Sequence, residues 1–376
     1  MAKKILTRKR AKNLLAEIAR RFIFLKPIIM KPLYTFSSRE RVQRIDETLE
    51  IFAKDASEQE RIFLKRDLAY CKEVYNIKYD EYFLFNLRHK THVERNSFLY
   101  NLNRSKYLCL LGSKEGHEIL KDKYKTYQIL SKYYKRDVVQ IKSQEDFNCF
   151  MSFLSKHPVF VKKPQSSSFG KGIELIDSTC YTDVRHLFQS LLEEIPVILE
   201  ERIQQEETMA SLHPSSINTL RIVTYLTPEG DVKIHLPFIK IGQGGSFVDN
   251  GGAGGILAII DADTGVIAAE GKDELNRKYI THPDTGVKIK GFQIPRWNEI
   301  YDLVSGAAKE FTATRYIGWD VALSCDRGWL IVEGNGRTEF YGQQMTDEIG
   351  KRESLEQLIH YQQLIKENPD YEIWGY

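Results

Sequence analysis

Two kinds of patterning divide the chain. Through the first third, apolar residues recur with helical spacing, as in AKNLLAEIARRFIF and RERVQRIDETLEIFAKDA. Ser37 or Ser38 offers a cap before the second of these segments. Glycine is absent until Gly112, so the spacing predicts a helical region to about residue 110. From residue 157 the pattern shortens: VFVKK, VILEE, LRIVTYL, KIHLPFIKI, GILAIID and WLIVE are brief β-rich runs separated by Gly, Asn and Asp turns. Helical spacing returns at 182–194, 297–314 and 352–366. The expected class is α+β with mostly antiparallel sheets, and no internal repeat or low-complexity segment interrupts it.

The most informative strand ends in polar residues. In GWLIVEGNGR (328–337) an apolar run delivers Glu333 and Asn335. Two apart, they share one face of an extended chain. Upstream, IGWDVALS puts Asp320 on a strand, and the turn CDRG (325–328) would join the two strands as a hairpin. Any single turn acid is usually a solvated charge. Two carboxylates and an amide brought together are hard oxygen donors that suit Mg2+, and without a cation the carboxylates would repel.

Other stretches carry weaker signals. In FVKKPQSSSFGKGIELI (160–176) a strand ends in Lys162–Lys163–Pro164 and is followed by a loop of small residues. Such residues let backbone N–H groups approach phosphate oxygens. A strand-like run follows Lys171–Gly172, which excludes a Walker A loop; read alone, a Ser-rich hairpin tip fits slightly better. PVILEERIQQEE (196–207) is an apolar strand running into acids, which are common as a solvated face. Arg221, in HPSSINTLRIVTYL, falls on the face opposite Leu220 and Ile222; a lone strand Arg is usually an edge charge. The glycine-rich FIKIGQGGSFVDNGGAGGILAII (238–260) is followed by no helix, so it is no dinucleotide fingerprint. Bracketed by strands, it suggests a loop that approaches a ligand or a flap that covers one.

Composition narrows the class. The chain has 376 residues, 54 Lys+Arg against 51 Asp+Glu, and a net charge of +3, which does not suggest a nucleic-acid-binding protein. The five cysteines are scattered without a CxxC, so neither a disulfide framework nor a zinc site is expected, and a reducing cytoplasm is. No apolar run is long enough to span a membrane. FIFLKPIIM, interrupted by Lys26 and Pro27, does not read as a secretory signal. Charge is nevertheless uneven: residues 1–33 hold ten basic residues and one acid, Glu17. Such a helix could lie on anionic lipid, or simply pack on its own domain through one face.

In order and spacing, DKYKTYQIL, FVKKPQSSSFGKGI, VILEERI, HPSSINTLRIVT, DNGGAGGILAIID, IGWDVAL and IVEGN resemble the ATP-grasp superfamily over residues 115–345. The nearer likeness is to the ATP-grasp family associated with sugar transfer and surface polysaccharide clusters. Ribosomal-protein glutamate ligases, glutathione synthetase and D-alanine–D-alanine ligases are more distant likenesses. The resemblance implies an ATP-grasp fold: a helical basic N-terminal region (1–112), a small subdomain with the phosphate loop (113–200) and a large subdomain with the magnesium site (201–376).

It also implies roles. Lys123 and Lys163, with Lys162 an adjacent candidate, would meet the ATP phosphates, and the loop carrying Ser167, Ser168, Gly170 and Gly172 would close over them. Glu200, Glu201, Arg202 and Ile203 would form the hinge that reads adenine. Glu207, or else Glu206, would hold the ribose. Asp320, Glu333 and Asn335 would be the Mg2+ ligands. Arg221 and Lys240 would face the γ-phosphate and the activated carboxylate. Asn218, Asn250, Gly251, Gly252, Gly254 and Arg337 would shape the substrate pocket. The activity implied is an ADP-forming ligase that joins a small-molecule carboxylate to an amine, one of them sugar-linked. A kinase on the same nucleotide site, or a nucleotide-binding partner of a glycosyltransferase, are the alternatives. The departure is the helical front, where many such ligases carry an α/β domain; this leaves the substrate undefined.

Overall fold

The computed structural model describes residues 2–166, 172–249 and 251–374. Helices fill the first third, led by Ala2–Arg21, Lys26–Thr35, Arg39–Phe52 and Glu58–Tyr75. Ser38 Oγ accepts from the Arg41 N–H at 3.3 Å, and Ser57 Oγ from the Glu60 N–H at 3.3 Å. These caps satisfy first-turn donors that have no partner within the helix. The buried stripes of these helices, with Ile45, Leu49 and Leu68 among them, share a core with Phe238, Leu257 and Met345 from the rest of the chain. The N-terminal helices therefore pack onto the body.

The body holds eleven strands among the described residues: β1 (Val138–Ile141), β2 (Val159–Pro164), β3 (Glu174–Asp177), β4 (Val197–Glu201), β5 (Thr219–Leu226), β6 (Val232–Ile241), β7 (Ile256–Ile259), β8 (Gly271–Lys272), β9 (Lys278–Tyr279), β10 (Tyr316–Ser324) and β11 (Gly328–Asn335). They form two sheets, ordered β1-β4-β2-β3 and β11-β10-β5-β6-β7-β8-β9. Every pairing is antiparallel, as the short runs and turn residues predict. Helices Phe147–Lys156 and Val184–Leu192 cover the small sheet, setting Phe150, Phe153 and Leu187 on Phe160, Val197 and Leu199. Helices Lys123–Tyr134 and Asn298–Glu310 cover the large one, setting Leu130, Ile300 and Val304 on Leu220, Ile222 and Trp319. Each fully buried Leu or Ile here stabilises by about 1.5–3 kcal/mol.

One expected helix divides. The 352–366 spacing resolves into Arg352–Leu358 and Tyr361–Glu367, because His360 adopts a left-handed φ of 50°. The 325–328 turn closes the β10–β11 hairpin with Gly328 at φ 68°, a conformation that glycine adopts without steric cost.

Candidate active site

A cleft of about 400 Å3 lies between the two sheets, within the size range of small-molecule sites. Its large-sheet end is built by register. Asp320 on β10 stands opposite Glu333 on β11 and opposite Arg221 on β5. Lys240 comes from β6, next to β5. The odd-numbered residues Ile317, Trp319 and Val321 on β10, and Trp329 and Ile331 on β11, belong to the core. Simple alternation would send Glu333 into that core as well. It does not, because the pairing passes from Val321–Ile331 to Asp320–Glu333 and leaves Val332 as the extra residue of a β-bulge. The bulge reverses the faces, so Glu333 and Asn335 line the cleft with Asp320. Gly334 then backs onto the core, where a Cβ would come within 2.8 Å of the Trp319 ring.

Asp320 is buried and doubly paired. Arg221 Nε donates to its Oδ1 at 2.6 Å, and Lys240 Nζ to its Oδ2 at 2.9 Å. Burial alone would raise the Asp320 carboxyl; Arg221 and Lys240 override it and hold the group well below the usual carboxylate range. Asn335 Nδ2 lies 3.2 Å from Glu333 Oε1 and 3.5 Å from Asp320 Oδ2. Asp249 is buried in the same wall, where its Oδ2 accepts from the Thr219 N–H at 2.7 Å, and burial raises its carboxyl despite Lys240.

The small-sheet end has its own buried carboxylate. Glu200 Oε2 accepts from Lys163 Nζ and from Arg136 Nη2, each at 2.8 Å. Burial works against the charged form, but Lys163 and Arg136 outweigh it and hold the Glu200 carboxyl down to about 2. Arg136 also donates to the carbonyls of Ile331 at 2.6 Å and Val332 at 3.1 Å, tying the small sheet to β11 at the bulge. Strand alternation separates the lysine doublet. Lys163 lines the cleft, while Lys162 pairs with Glu174 at 2.9 Å and Glu194 at 2.7 Å. Lys123, the first residue of its helix, lies between the two ends. Burial lowers its ammonium pKa, Glu333 pulls it up and Lys163 pushes it down.

Of the other expected residues, Glu201, Ile203, Gly251, Gly252 and Arg337 line the cleft. Glu201 also accepts from Arg327 Nη1 at 2.7 Å, so its side chain ties β4 to the turn between β10 and β11. Glu207 and Arg202 are exposed and lie outside the lining, as does Glu206, which caps a short helix by accepting from the Met209 N–H at 3.1 Å. Gly172 and Gly254 are not among the lining residues either. Asn218 is fully buried and spends its side chain on the chain itself, donating to the carbonyls of Met209 at 2.9 Å and His213 at 3.0 Å. Buried amides of this kind brace backbone. Ser167, Ser168, Gly170 and Asn250 lie outside the described residues. Sequence reasoning missed Arg136 and Arg104, both at or beside the cleft, and reached Asp249 only as the first residue of the pocket loop 249–255. Only the DNGG stretch carried a signal, for Asp249; Arg136 follows a helix end in an unremarkable YYKRD.

The donor set fits a divalent cation. No group of three or more His, Cys, Asp or Glu residues suited to a metal occurs among the described residues. The third donor here is an amide, and Asn335 presents its oxygen to an ion after a simple rotation of the side-chain amide. Arg221 holds both Asp320 oxygens, with Nε on Oδ1 at 2.6 Å and Nη2 on Oδ2 at 3.1 Å, so Oδ1 becomes free for an ion when the guanidinium turns to an incoming anion.

The model of the sugar-transfer associated ATP-grasp family matches residues 102–359. No curated protein sequence matches the chain. Among solved structures, the ATP-grasp ligase PsnB complexed with minimal precursor, Mg and ADP is 12% identical with a TM-score of 0.42, over 67% of this chain and 61% of that one. An L-amino acid ligase from Bacillus licheniformis is 15% identical with a TM-score of 0.36, over 62% of this chain and 44% of that one. An N5-carboxyaminoimidazole synthase from Aspergillus clavatus is 10% identical with a TM-score of 0.38, over 61% and 48%. The chain thus spans between 44% and 61% of the length of these three structures, and likeness at this level says nothing of what it acts on.

Proposed function

The chain belongs to the sugar-transfer associated ATP-grasp family, and from that premise we propose that its cleft binds ATP with Mg2+ and joins a carboxylate to an amine, releasing ADP and phosphate. The observation that carries this reading is the pair of charge clusters facing one cleft, Lys163–Glu200–Arg136 at one end and Asp320–Arg221–Lys240 with Glu333 and Asn335 at the other. Lys163 and Lys123 would meet the phosphates. Ile203 would meet the base through the hinge. Asp320, Glu333 and Asn335 would hold Mg2+, which supplies charge neutralisation at the phosphate oxygens.

The chemistry follows from the carboxylate. It is a poor electrophile until one of its oxygens becomes a leaving group, so the γ-phosphoryl of ATP is transferred to that oxygen first. Attack by the amine then forms the C–N bond, breaks the C–O bond to phosphate and releases the amine proton. Arg221 and Lys240 suit an anionic substrate and the charge that builds up during transfer. The backbone of Gly251 and Gly252, in the cleft wall, would face the substrate. Arg337 would shape the pocket beside them. The family description favours a partner carried on a sugar, in surface polysaccharide or glycoconjugate synthesis. In that setting the enzyme would work in the cytoplasm. Peripheral contact with the inner membrane face through the basic N-terminal helices would hold it beside lipid-linked glycans.

The test is to incubate the protein with ATP, Mg2+ and candidate carboxylates in the presence of hydroxylamine, which intercepts an acyl phosphate as a hydroxamate. Hydroxamate formed together with ADP is the expected result. ADP with a stable phosphorylated alcohol and no hydroxamate would replace the ligase by a kinase. Nucleotide binding without turnover on any candidate would favour a non-enzymatic partner.

A further inference from the structure

Between its first two helices the chain turns through Phe22 and a short 3-10 turn, Ile23–Leu25. The turn carries its apolar side chains outward: Phe24 is 75% exposed and Ile28 70%, with Phe22 and Ile23 at 47% and 44%. The backbone behind them is fixed. Ala16, Ala19, Ile29, Met30 and Leu33 are buried. Arg20 Nε donates to the Val74 carbonyl at 3.2 Å, and Lys26 pairs with the buried Asp67 at 2.9 Å. The same two helices therefore bury one apolar stripe against the protein and hold a second one out to water. Clustered exposed aromatic and aliphatic groups of this kind mark an interaction surface.

Charge says what covers it. Residues 20–35 contain Arg20, Arg21, Lys26 and Lys31 and no acid. Lys9 and Arg10 are exposed further up the first helix. Its one acid, Glu17, pairs with Arg21 at 3.0 Å. Aromatic and aliphatic groups on one face with basic residues beside them are the pattern of a segment that lies on anionic lipid; Glu17 is the one acid near the turn in sequence, and residues 20–35 add none. No helix among the described residues is long and apolar enough to cross a membrane. We propose that this knuckle docks on the surface of an anionic bilayer, with Phe24 and Ile28 entering the boundary between headgroups and acyl chains and the exposed Arg21 and Lys31 at phosphate level. The proposal is independent of the chemistry in the cleft, which lies on other elements.

The test is co-sedimentation of the full chain with vesicles of phosphatidylcholine alone or mixed with phosphatidylserine, at low and high salt. It compares the wild type with the F24S/I28S variant. Both substituted side chains are mostly solvent-exposed, and circular dichroism checks that the variant folds. Binding to the phosphatidylserine vesicles, weakened by salt and by roughly 10- to 100-fold in the variant, is expected. Three results would overturn the proposal: no binding to the anionic vesicles, equal binding by F24S/I28S, or equal binding to neutral vesicles. Sedimentation velocity covers the other occupant. A wild type that dimerises through this surface while F24S/I28S stays monomeric, with neither bound to vesicles, would assign the knuckle to a second copy of the chain. Unchanged nucleotide turnover in F24S/I28S, once a substrate is found, keeps this outcome separate from the fate of the ligase reading.

Discussion

The two ends of the cleft are built on the same plan and differ in what stands beside it. Each centres on a buried acid held by one Arg and one Lys: Glu200 with Arg136 and Lys163, Asp320 with Arg221 and Lys240. At the small-sheet end the two cations outnumber the acid, and Lys123 adds to the excess from nearby. That end suits polyphosphate. At the large-sheet end Glu333 adds a second carboxylate beside Asp320, and Asn335, once its amide is turned, adds a third oxygen to the set. That end suits a divalent cation bridging to phosphate. The difference teaches that a buried ion pair is by itself no sign of a site. What is added beside it decides what it can hold.

Breaking the large-sheet end should have the greatest effect. Asp320→Asn takes from buried Arg221 and Lys240 the carboxylate that both pair with, and a loss of about 3–5 kcal/mol in urea unfolding is expected. Glu200→Gln should cost less, because the Arg136 guanidinium keeps its carbonyl partners on β11. If the two variants lose equal stability, the ends are not distinguished in the way described.

The next prediction concerns acid. The Glu200 carboxyl is held down to about 2, below its ordinary 4.5, so its contribution to stability is fully present above about 4.5 and is lost as pH falls toward about 2. A shift of that size corresponds to roughly 3 kcal/mol at most. Stability measured across this window should fall less steeply in Glu200→Gln than in the wild type; identical slopes would remove Lys163 and Arg136 as the cause.

A smaller effect tests the bulge. In Gly334→Ala the new methyl meets the Trp319 ring and Leu120, so β11 must shift. About 1–3 kcal/mol of destabilisation is expected, together with weaker Mg2+-dependent nucleotide binding. Leaving both unchanged would show that the bulge does not aim Glu333.

Much of this was legible in the chain. Short β-rich runs with Gly and Asn turns gave antiparallel sheets, and the glycine-free front gave helices. Alternation on β5 correctly set Arg221 opposite Leu220 and Ile222, and the same rule resolves Lys162 from Lys163 once the strand is known. It would have failed at β11, where period two carried on from Trp329 and Ile331 puts Glu333 in the core. A bulge depends on the partner strand, and the sequence of one strand does not show it. Arg136 was invisible for a related reason: its partners lie on β4 and β11, far along the chain. Asn218 sat in a suggestive motif but braces backbone, a distinction only burial reveals. The packing of the helical front on β6 and β7 likewise had no local signal.

The account's central claim is that Glu333 makes the difference between the ends. The most direct measurement is the calorimetric affinity for ADP with and without Mg2+, in the wild type and in Glu333→Gln. Mg2+ should strengthen ADP binding to the wild type, and Glu333→Gln should lose that gain by tenfold or more, about 1.4 kcal/mol. Its Mg2+-free affinity, set by Lys163 and Lys123, should be nearly unchanged. The same Mg2+-dependent gain in both proteins would contradict the claim.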